Sequence, residues 1–451
     1  MTPSREEHEN IQERFERLKL RNASGNLNLF GKILVDEREI TLWEYDTLTL
    51  PRGARKWRRK ALRFAREEIR PRAPEADIDP YSFRHEEFVK AAAKKGFLSL
   101  LLPFPLGRAS IPAYMRNTAL QTAVIAEEFA TECGGLCLML LAHNLGIAPI
   151  LLSGSVRSLL SSFIPMYIRN TWTSNPQLMA FAITEPDAGS DVEDPEGGAR
   201  ARLVTTARKV KGGYILNGRK CFITGGAVAS KITVYAKLEG EALDSWTCFI
   251  VEKGMKGFSV GRKEKKMGQR ASDASELIFE DLFLPNRNMV GKLRSGWANN
   301  LNVLNYSRPV VAAMALGHGR GAFERALDFC RKNSLGGKPL IEYRDVQMEL
   351  ADMVISLQAA RSTVWQSLRN FRCQQTASST AKVFASDTAF KVCSQAMELI
   401  GDHGYIHANG VERSMRDARL TQIYEGTNQL NRLAVLEHQW DVEFRPDIKI
   451  Q

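Results

Sequence analysis

Glu425 lies in the stretch MRDARLTQIYEGTNQLNR, residues 415–432, where Gly426 interrupts a strongly helical pattern just as the carboxylate is presented. A carboxylate at such a break can project into a cavity, where desolvation raises its pKa and makes it a competent base near neutral pH. The plainer alternative is a solvated Glu near a helix end. FAITEPDAGSDV, residues 181–192, runs a strand into a turn rich in hydroxyl and amide donors. Such a turn can hold a phosphate or the edge of a flat cofactor, or can simply be a β-turn capped by Asp187 and Asp191. In GRKCFITGG, residues 218–226, Phe222 and Thr224 sit two apart on a strand and so share a face. A ring and a hydroxyl placed that way suit one flat aromatic ligand, though a core Phe beside a surface Thr has the same spacing. KKMGQRASDASELIFEDLFLP, residues 265–285, joins a polar loop to an alternating strand and reads equally as a solvated hairpin. The sequence has no elbow-type Gly-x-Ser-x-Gly motif and no metal-ligand spacing. His403 and His407 fall in GDHGYIHANG, whose three glycines read as loop rather than as a helix face.

These groups need a scaffold of two kinds. From about residue 53 to 178 apolar residues recur with a period near 3.6, as in FVKAAAKKGFLSLLL and TALQTAVIAEEFATE, which predicts a helical domain. From about 179 to 293 short β-branched and aromatic runs alternate with Gly, Asp and Pro turns, which predicts a small β-domain. Helical patterns return from about 294 to 440, leaving 1–52 as an N-terminal extension and 441–451 as a tail. The expected fold is mainly α with a central β-domain.

At 451 residues, 44% apolar and 25% charged, the chain can bury a sizeable core. Its formal charge of +11 raises nucleic acid or an anionic surface as a partner. The densest basic run, RGARKWRRKALRFAREEIR at 52–70, instead reads as a solvated helix face opposite Trp57, Leu62 and Phe64, and a basic surface also suits a ligand carrying several phosphates. The seven cysteines show no pairing rhythm, consistent with reduced thiols and a cytoplasmic compartment. The one long apolar run, 137–154, carries His143, Asn144 and Pro149 and reads as a buried helix rather than a membrane span.

Taken in order, FAITEPDAGSDV, LNGRKCFITGG, MGQRASDASELIFEDLFLPNRNMVG, RPVVAA from Arg308 to Ala313, and RDARLTQIYEGTNQ resemble the acyl-CoA dehydrogenase family from about residue 55 to 437. The resemblance implies a helical N-terminal domain, a central β-barrel-like domain, a C-terminal four-helix bundle, bound FAD and a homotetramer. It also implies dehydrogenation of an acyl-CoA thioester to the 2-enoyl-CoA, with electrons passed to electron-transfer flavoprotein. Carried over to this chain, Glu425 is the catalytic base. Phe181, Thr184, Gly189, Ser190, Phe222, Ile223, Thr224, Thr427 and Gln429 line the cofactor. Ser190, Arg308 and Gly426 meet the substrate. Phe222 replaces the Trp of many relatives. The position that carries the base in other branches is Ser307, next to Arg308, so no rival carboxylate competes from there.

Where relatives contact the FAD pyrophosphate across a subunit interface, this chain has Asn333, Gly336 and Arg344, which moves the positive charge to Arg331 or Arg344. Glu398 and Asp402 stand where Gln and Gly are frequent, and an insertion, EDPEGGARARL at 193–203, follows the SDV turn. An oxygen-using acyl-CoA oxidase and a flavin-bearing DNA-associated relative are the alternatives to weigh. No metal, nucleic acid or membrane insertion is expected. The acyl pocket falls between about 95 and 150, where Arg108 is either a partner for an acidic acyl tail or a surface residue.

Overall fold

The computed structural model describes residues 13–14, 40–101, 106–108, 118–193, 200–370 and 372–444, with side chains to 439. The chain divides into two units, Met1–Leu50 and Pro51–Gln451. In the first, helix α1 (Leu42–Thr49) starts at a capping box: the Glu44 N–H donates to Thr41 Oγ1 and the Thr41 N–H to Glu44 Oε2.

The second unit opens with α2 (Arg52–Phe64), α3 (Ala73–Ile78) and α4 (His85–Lys94), followed by α5 (Thr118–Ala130), α6 (Gly134–Leu152) and α7 (Ile164–Trp172). Helix α2 buries Ala54, Trp57, Ala61 and Phe64, while Leu62 is only half-buried. Its basic face is less solvated than its composition suggests. Arg58 Nε lies 2.7 Å from the buried Glu128 of α5, and Arg70, just past the helix, lies 2.6 Å from the buried Glu132. The arginines therefore dock this helix as well as hydrate it.

Among the described residues α6 alone is long and apolar enough to cross a membrane, and most of it is buried inside the fold. Two features tie it down. A Cβ at Gly146 would lie 2.8 Å from the Ala180 backbone, so glycine permits the close approach to the sheet. The buried His143 ring accepts the Met179 N–H at Nδ1 (3.0 Å) and faces the Leu98 carbonyl from Nε2 (3.1 Å). One nitrogen accepting and the other donating defines a neutral imidazole, and burial lowers its pKa to about 4.

Eight strands form a mixed sheet: β1 (Met179–Ala182), β2 (Thr206–Val210), β3 (Gly213–Thr224), β4 (Lys231–Leu238), β5 (Thr247–Glu252), β6 (Phe258–Lys263), β7 (Ala274–Pro285) and β8 (Met289–Val290). The order is β6-β7-β3-β2-β4-β5-β8, with β1 parallel to β4. Beyond it α8 (Gly296–Lys332), α9 (Arg344–Ser367) and α10 (Gln375–Leu399) pack side by side, and α11 (Val411–Leu420) and α12 (Asn428–Phe444) close the bundle. Pro309 lies inside α8 and has no N–H to give the Asn305 carbonyl. Ser378 Oγ of α10 supplies that donor at 2.8 Å, locking α10 against the turn that carries Tyr306, Ser307 and Arg308.

Candidate active site

The base loop joins α11 to α12. Glu425 has φ 57 and Gly426 φ 79, two consecutive left-handed residues, of which only the glycine adopts that region without strain. The loop is held through its carbonyls. Glu425 O accepts from Arg308 Nε at 3.1 Å and Asn431 Nδ2 at 3.4 Å, and Gly426 O accepts from Lys382 Nζ at 2.7 Å and Asn431 Nδ2 at 2.9 Å. Lys382 is fully buried and also donates to Asn428 Oδ1 at 2.7 Å, while Thr427 Oγ1 caps α12 by accepting the Leu430 N–H. No acceptor among the described residues takes the Glu425 or Gly426 N–H.

The Glu425 carboxylate accepts a 2.7 Å hydrogen bond from Ser307 Oγ at Oε2. It faces a cavity of about 460 Å³, open to solvent and walled by Leu138, Leu141, Ala142 and Leu145 of α6, Thr122 of α5, and Tyr306, Val310 and Val311 of α8. Burial raises its pKa above the ordinary carboxylate value, and the Ser307 hydroxyl, Arg308 and Lys382 pull the other way without reversing it. Burial, with Arg308 acting alongside, lowers Lys382 to about 7, against the pull of Glu193 and Glu425.

The position that carries the base in other branches is indeed a serine, Ser307, but a second carboxylate that sequence reasoning did not single out, Glu193, lies nearby. It is buried, pairs with Arg308 Nη2 at 2.7 Å, and burial pushes its carboxyl up to about 7. Arg308 in turn has its donors on Glu425 O, Glu193, Ser379 Oγ and Asn305 Oδ1. That guanidinium, expected to meet substrate, is spent on holding the loop.

The cofactor positions converge from the other side. Thr427 N–H donates to Ser190 Oγ at 3.1 Å, joining the base loop to the 184–190 turn, in which Asp191 caps the Gly189 N–H at 2.6 Å. The turn is fixed to β3 by the Thr184 carbonyl accepting from Cys221 N (2.9 Å) and by a fully buried Lys220–Glu185 ion pair (2.8 Å). Next to that anchor β3 bulges between Lys220 and Ile223, and Phe222 takes φ 58 with its side chain 56% exposed. Simple strand alternation did not foresee the bulge. Thr184 and Thr224 are half-buried. Ile223 points into the core and offers only its main chain, Phe181 packs edge-on to Tyr235 at 5.6 Å, and Gln429 is exposed.

An exposed aromatic ring on strained backbone, with the half-buried hydroxyls of Thr184 and Thr224 near it in the chain or across its anchor, fits a flat aromatic cofactor with hydrogen-bonding edges. Arg331 and Arg344 are not part of this gathering. Both are exposed, and Arg331 is 24 residues beyond Ser307 on α8, roughly 36 Å at 1.5 Å per residue. Glu398 and Asp402 are likewise exposed, and Arg108 lies on the surface against Trp172 and the Thr171 carbonyl, outside the cavity. Residues 102–105, 109–117 and 194–199, which include much of the expected acyl-pocket loop and of the insertion, lie outside the described residues.

The histidines of GDHGYIHANG sit in two short 3₁₀ turns. Asp77, His407 and Glu412 come close enough to hold a cation, but Arg416 already binds both carboxylates there. The seven cysteines are free, all but Cys373 buried.

Comparison with known proteins matches this architecture from residue 52 to 439. Models of the acyl-CoA dehydrogenase N-terminal, middle and C-terminal domains match residues 52–158, 180–282 and 294–439. The chain belongs to the acyl-CoA dehydrogenase family, and is an FAD-dependent oxidoreductase. Cyclohex-1-ene-1-carbonyl-CoA dehydrogenase of Geobacter metallireducens is 37% identical over 376 residues, 82% of this chain and 93% of the relative. Butyryl-CoA dehydrogenase of Megasphaera elsdenii superposes with a TM-score of 0.78 at 29% identity, covering 87% of this chain and 99% of that one. A chain from a structure described as the electron transferring flavoprotein of Acidaminococcus fermentans does so with a TM-score of 0.78 at 30% identity, covering 87% and 98%.

Proposed function

We propose that this chain removes the α-proton and β-hydride of an acyl-CoA thioester to give the 2-enoyl-CoA, with Glu425 as the base. The observation that carries the reading is the Glu425 carboxylate: desolvated, held by Ser307, and facing an apolar cavity from a left-handed bend. A raised pKa suits a base that must take a carbon-bound proton near neutral pH. The unclaimed Glu425 N–H is available to the thioester carbonyl as enolate charge develops, a donor worth roughly 3 kcal/mol in such sites. FAD, when bound, supplies the hydride acceptor. Phe222 would flank its ring system, with Thr184, Ser190, Thr224 and Thr427 offering hydroxyl or main-chain contacts. The Leu and Val walls exclude water from the reacting carbons.

The same reading places a compact or ring-shaped acyl group in the cavity. Leucines and valines line it, Tyr306 and Thr122 stand among them, and a relative is named for a cyclohexene carbonyl thioester. It further includes transfer of electrons to an electron-transfer flavoprotein and a cytoplasmic homotetramer. In that assembly Arg331 or Arg344 of a second copy would reach the FAD pyrophosphate, in keeping with their exposure and their distance from Ser307 along α8. The test is to purify the yellow protein and add, without air, cyclohexanecarbonyl-, cyclohexenecarbonyl-, butyryl-, octanoyl- and glutaryl-CoA. Bleaching of the flavin band by ring or short acyl groups is expected. Bleaching by none of them would overturn the function, and bleaching by octanoyl-CoA alone would overturn the acyl class.

A further inference from the structure

The charge arrangement beside the base includes Glu193, the residue that follows the SDV turn and opens the EDPEGGARARL segment. Glu193 reaches the base loop, and its carboxylate is so close to Gly426 that any Cβ there would overlap it. It shares Arg308 with Glu425: one edge of the guanidinium holds the Glu425 carbonyl through Nε, while Nη2 holds Glu193 at 2.7 Å, the two ion-pair side chains being 3% and 5% exposed. The charged groups facing this spot are Arg308 from α8, Lys382 from α10, and Glu193 and Glu425 themselves; Ser307 and Tyr424 are the hydroxyl neighbours. Without Glu193, two cations would surround a single carboxylate.

We propose that Glu193 is the counter-ion of the active site, a positioning residue that neutralises Arg308 so that this arginine can hold the base loop without claiming the charge of the base. The inference rests on Glu425 being that base. A buried charge left without a partner is costly, and an arginine with no anion of its own would stabilise the ionised Glu425, lowering its pKa and making it a weaker base. With Glu193 present the two carboxyls oppose each other across Arg308 and titrate as a coupled pair. The sequence signals nothing of this, because Glu193 and Arg308 are 115 residues apart.

The test is the pH profile of kcat/KM for Glu193→Gln, which keeps the shape and hydrogen-bonding reach of the side chain but not its charge. The acid limb is expected to move down by about one pH unit, and Glu193→Asp, which keeps the charge, to return it toward the wild-type position. An acid limb in Glu193→Gln that stays in place or moves up would overturn the proposal; a merely structural role would lower the rate at every pH and leave the limb unmoved. If Glu193→Gln does not fold, infrared titration of the carboxyl C=O bands of wild type and Glu425→Gln carries the test. The Glu193 midpoint should be lower in Glu425→Gln, where its charged neighbour is gone, and equal midpoints would refute the coupling. A Glu425→Gln protein that still reduces its flavin sinks the base assignment itself. An inactive Glu425→Gln beside an unmoved Glu193→Gln profile sinks only the role given to Glu193.

Discussion

Replacing Ser307 with alanine should move the pH dependence of the enzyme upward. The Ser307 hydroxyl donates a 2.7 Å hydrogen bond to Glu425 Oε2 and so favours the ionised carboxylate, while burial disfavours it. A hydrogen bond to a charged group contributes about 1.5–3 kcal/mol, and one pKa unit corresponds to about 1.36 kcal/mol. The full range is therefore about 1–2 units, and the opening of the cavity to solvent argues for the lower end, about one unit. The pKa of Glu425 is already raised, so losing this donor raises it further, and the base stays protonated to higher pH. The acid limb of kcat/KM for Ser307→Ala should shift up by about one pH unit, with a loss approaching tenfold below the limb and little loss above it. Ser307→Thr, which keeps a hydroxyl, is the control. The assay is anaerobic flavin reduction by acyl-CoA from pH 5.5 to 9. An unmoved limb would show that the hydroxyl does not bear on the charge of Glu425, and a downward shift would show that the sign is wrong.

Gly426→Ala should cost at least about 1–2 kcal/mol of stability, since φ is 79 and the added Cβ would lie 3.0 Å from Asn431 Nδ2 and 3.1 Å from Arg308 Nη2 besides overlapping Glu193; urea unfolding and flavin reduction should both register it. Phe222→Ala removes a ring that is 56% exposed, so apoprotein stability should change by no more than about 0.5 kcal/mol while FAD affinity falls, measured by flavin fluorescence on titration. His143 is held neutral with its pKa lowered to about 4. Its stabilisation is present above the unfolded value of about 6.5 and is lost as pH falls through the folded value, up to about 3 kcal/mol in all. The urea midpoint should fall between pH 6.5 and 4, and His143→Gln should flatten that dependence.

The elements that build the site are legible in the sequence because each obeys a local rule. The 3.6 period marks α5 and α8, the continuous apolar run marks α6, the short β-branched runs mark β3 and β7, and Gly426 marks the break that presents Glu425. The partners of Glu425 are not legible, because they follow from tertiary packing. Ser307 is 118 residues away and is reached only through the family resemblance, Lys382 looks like an ordinary lysine in a helical stretch, and Glu193 is 115 residues from the arginine it pairs with. A buried lysine in the small-residue run SSTAKVFAS was the one available hint, since such faces usually pack tightly. The bulge at Phe222 escaped for a different reason. Alternation describes regular strands, and here the Cys221 N–H is diverted to the Thr184 carbonyl in the turn after β1. The role proposed for Arg331 or Arg344 depends on a second copy, which a single chain's pattern cannot position.

The central claim is that Glu425 takes the α-proton. Mixing Glu425→Gln, loaded with FAD, against a substrate that bleaches the wild-type enzyme in an anaerobic stopped-flow experiment tests it most directly. The account predicts that the variant binds the thioester and keeps its yellow colour, with flavin reduction slowed by a factor of roughly 10² or more. Flavin reduction at the wild-type rate would contradict it.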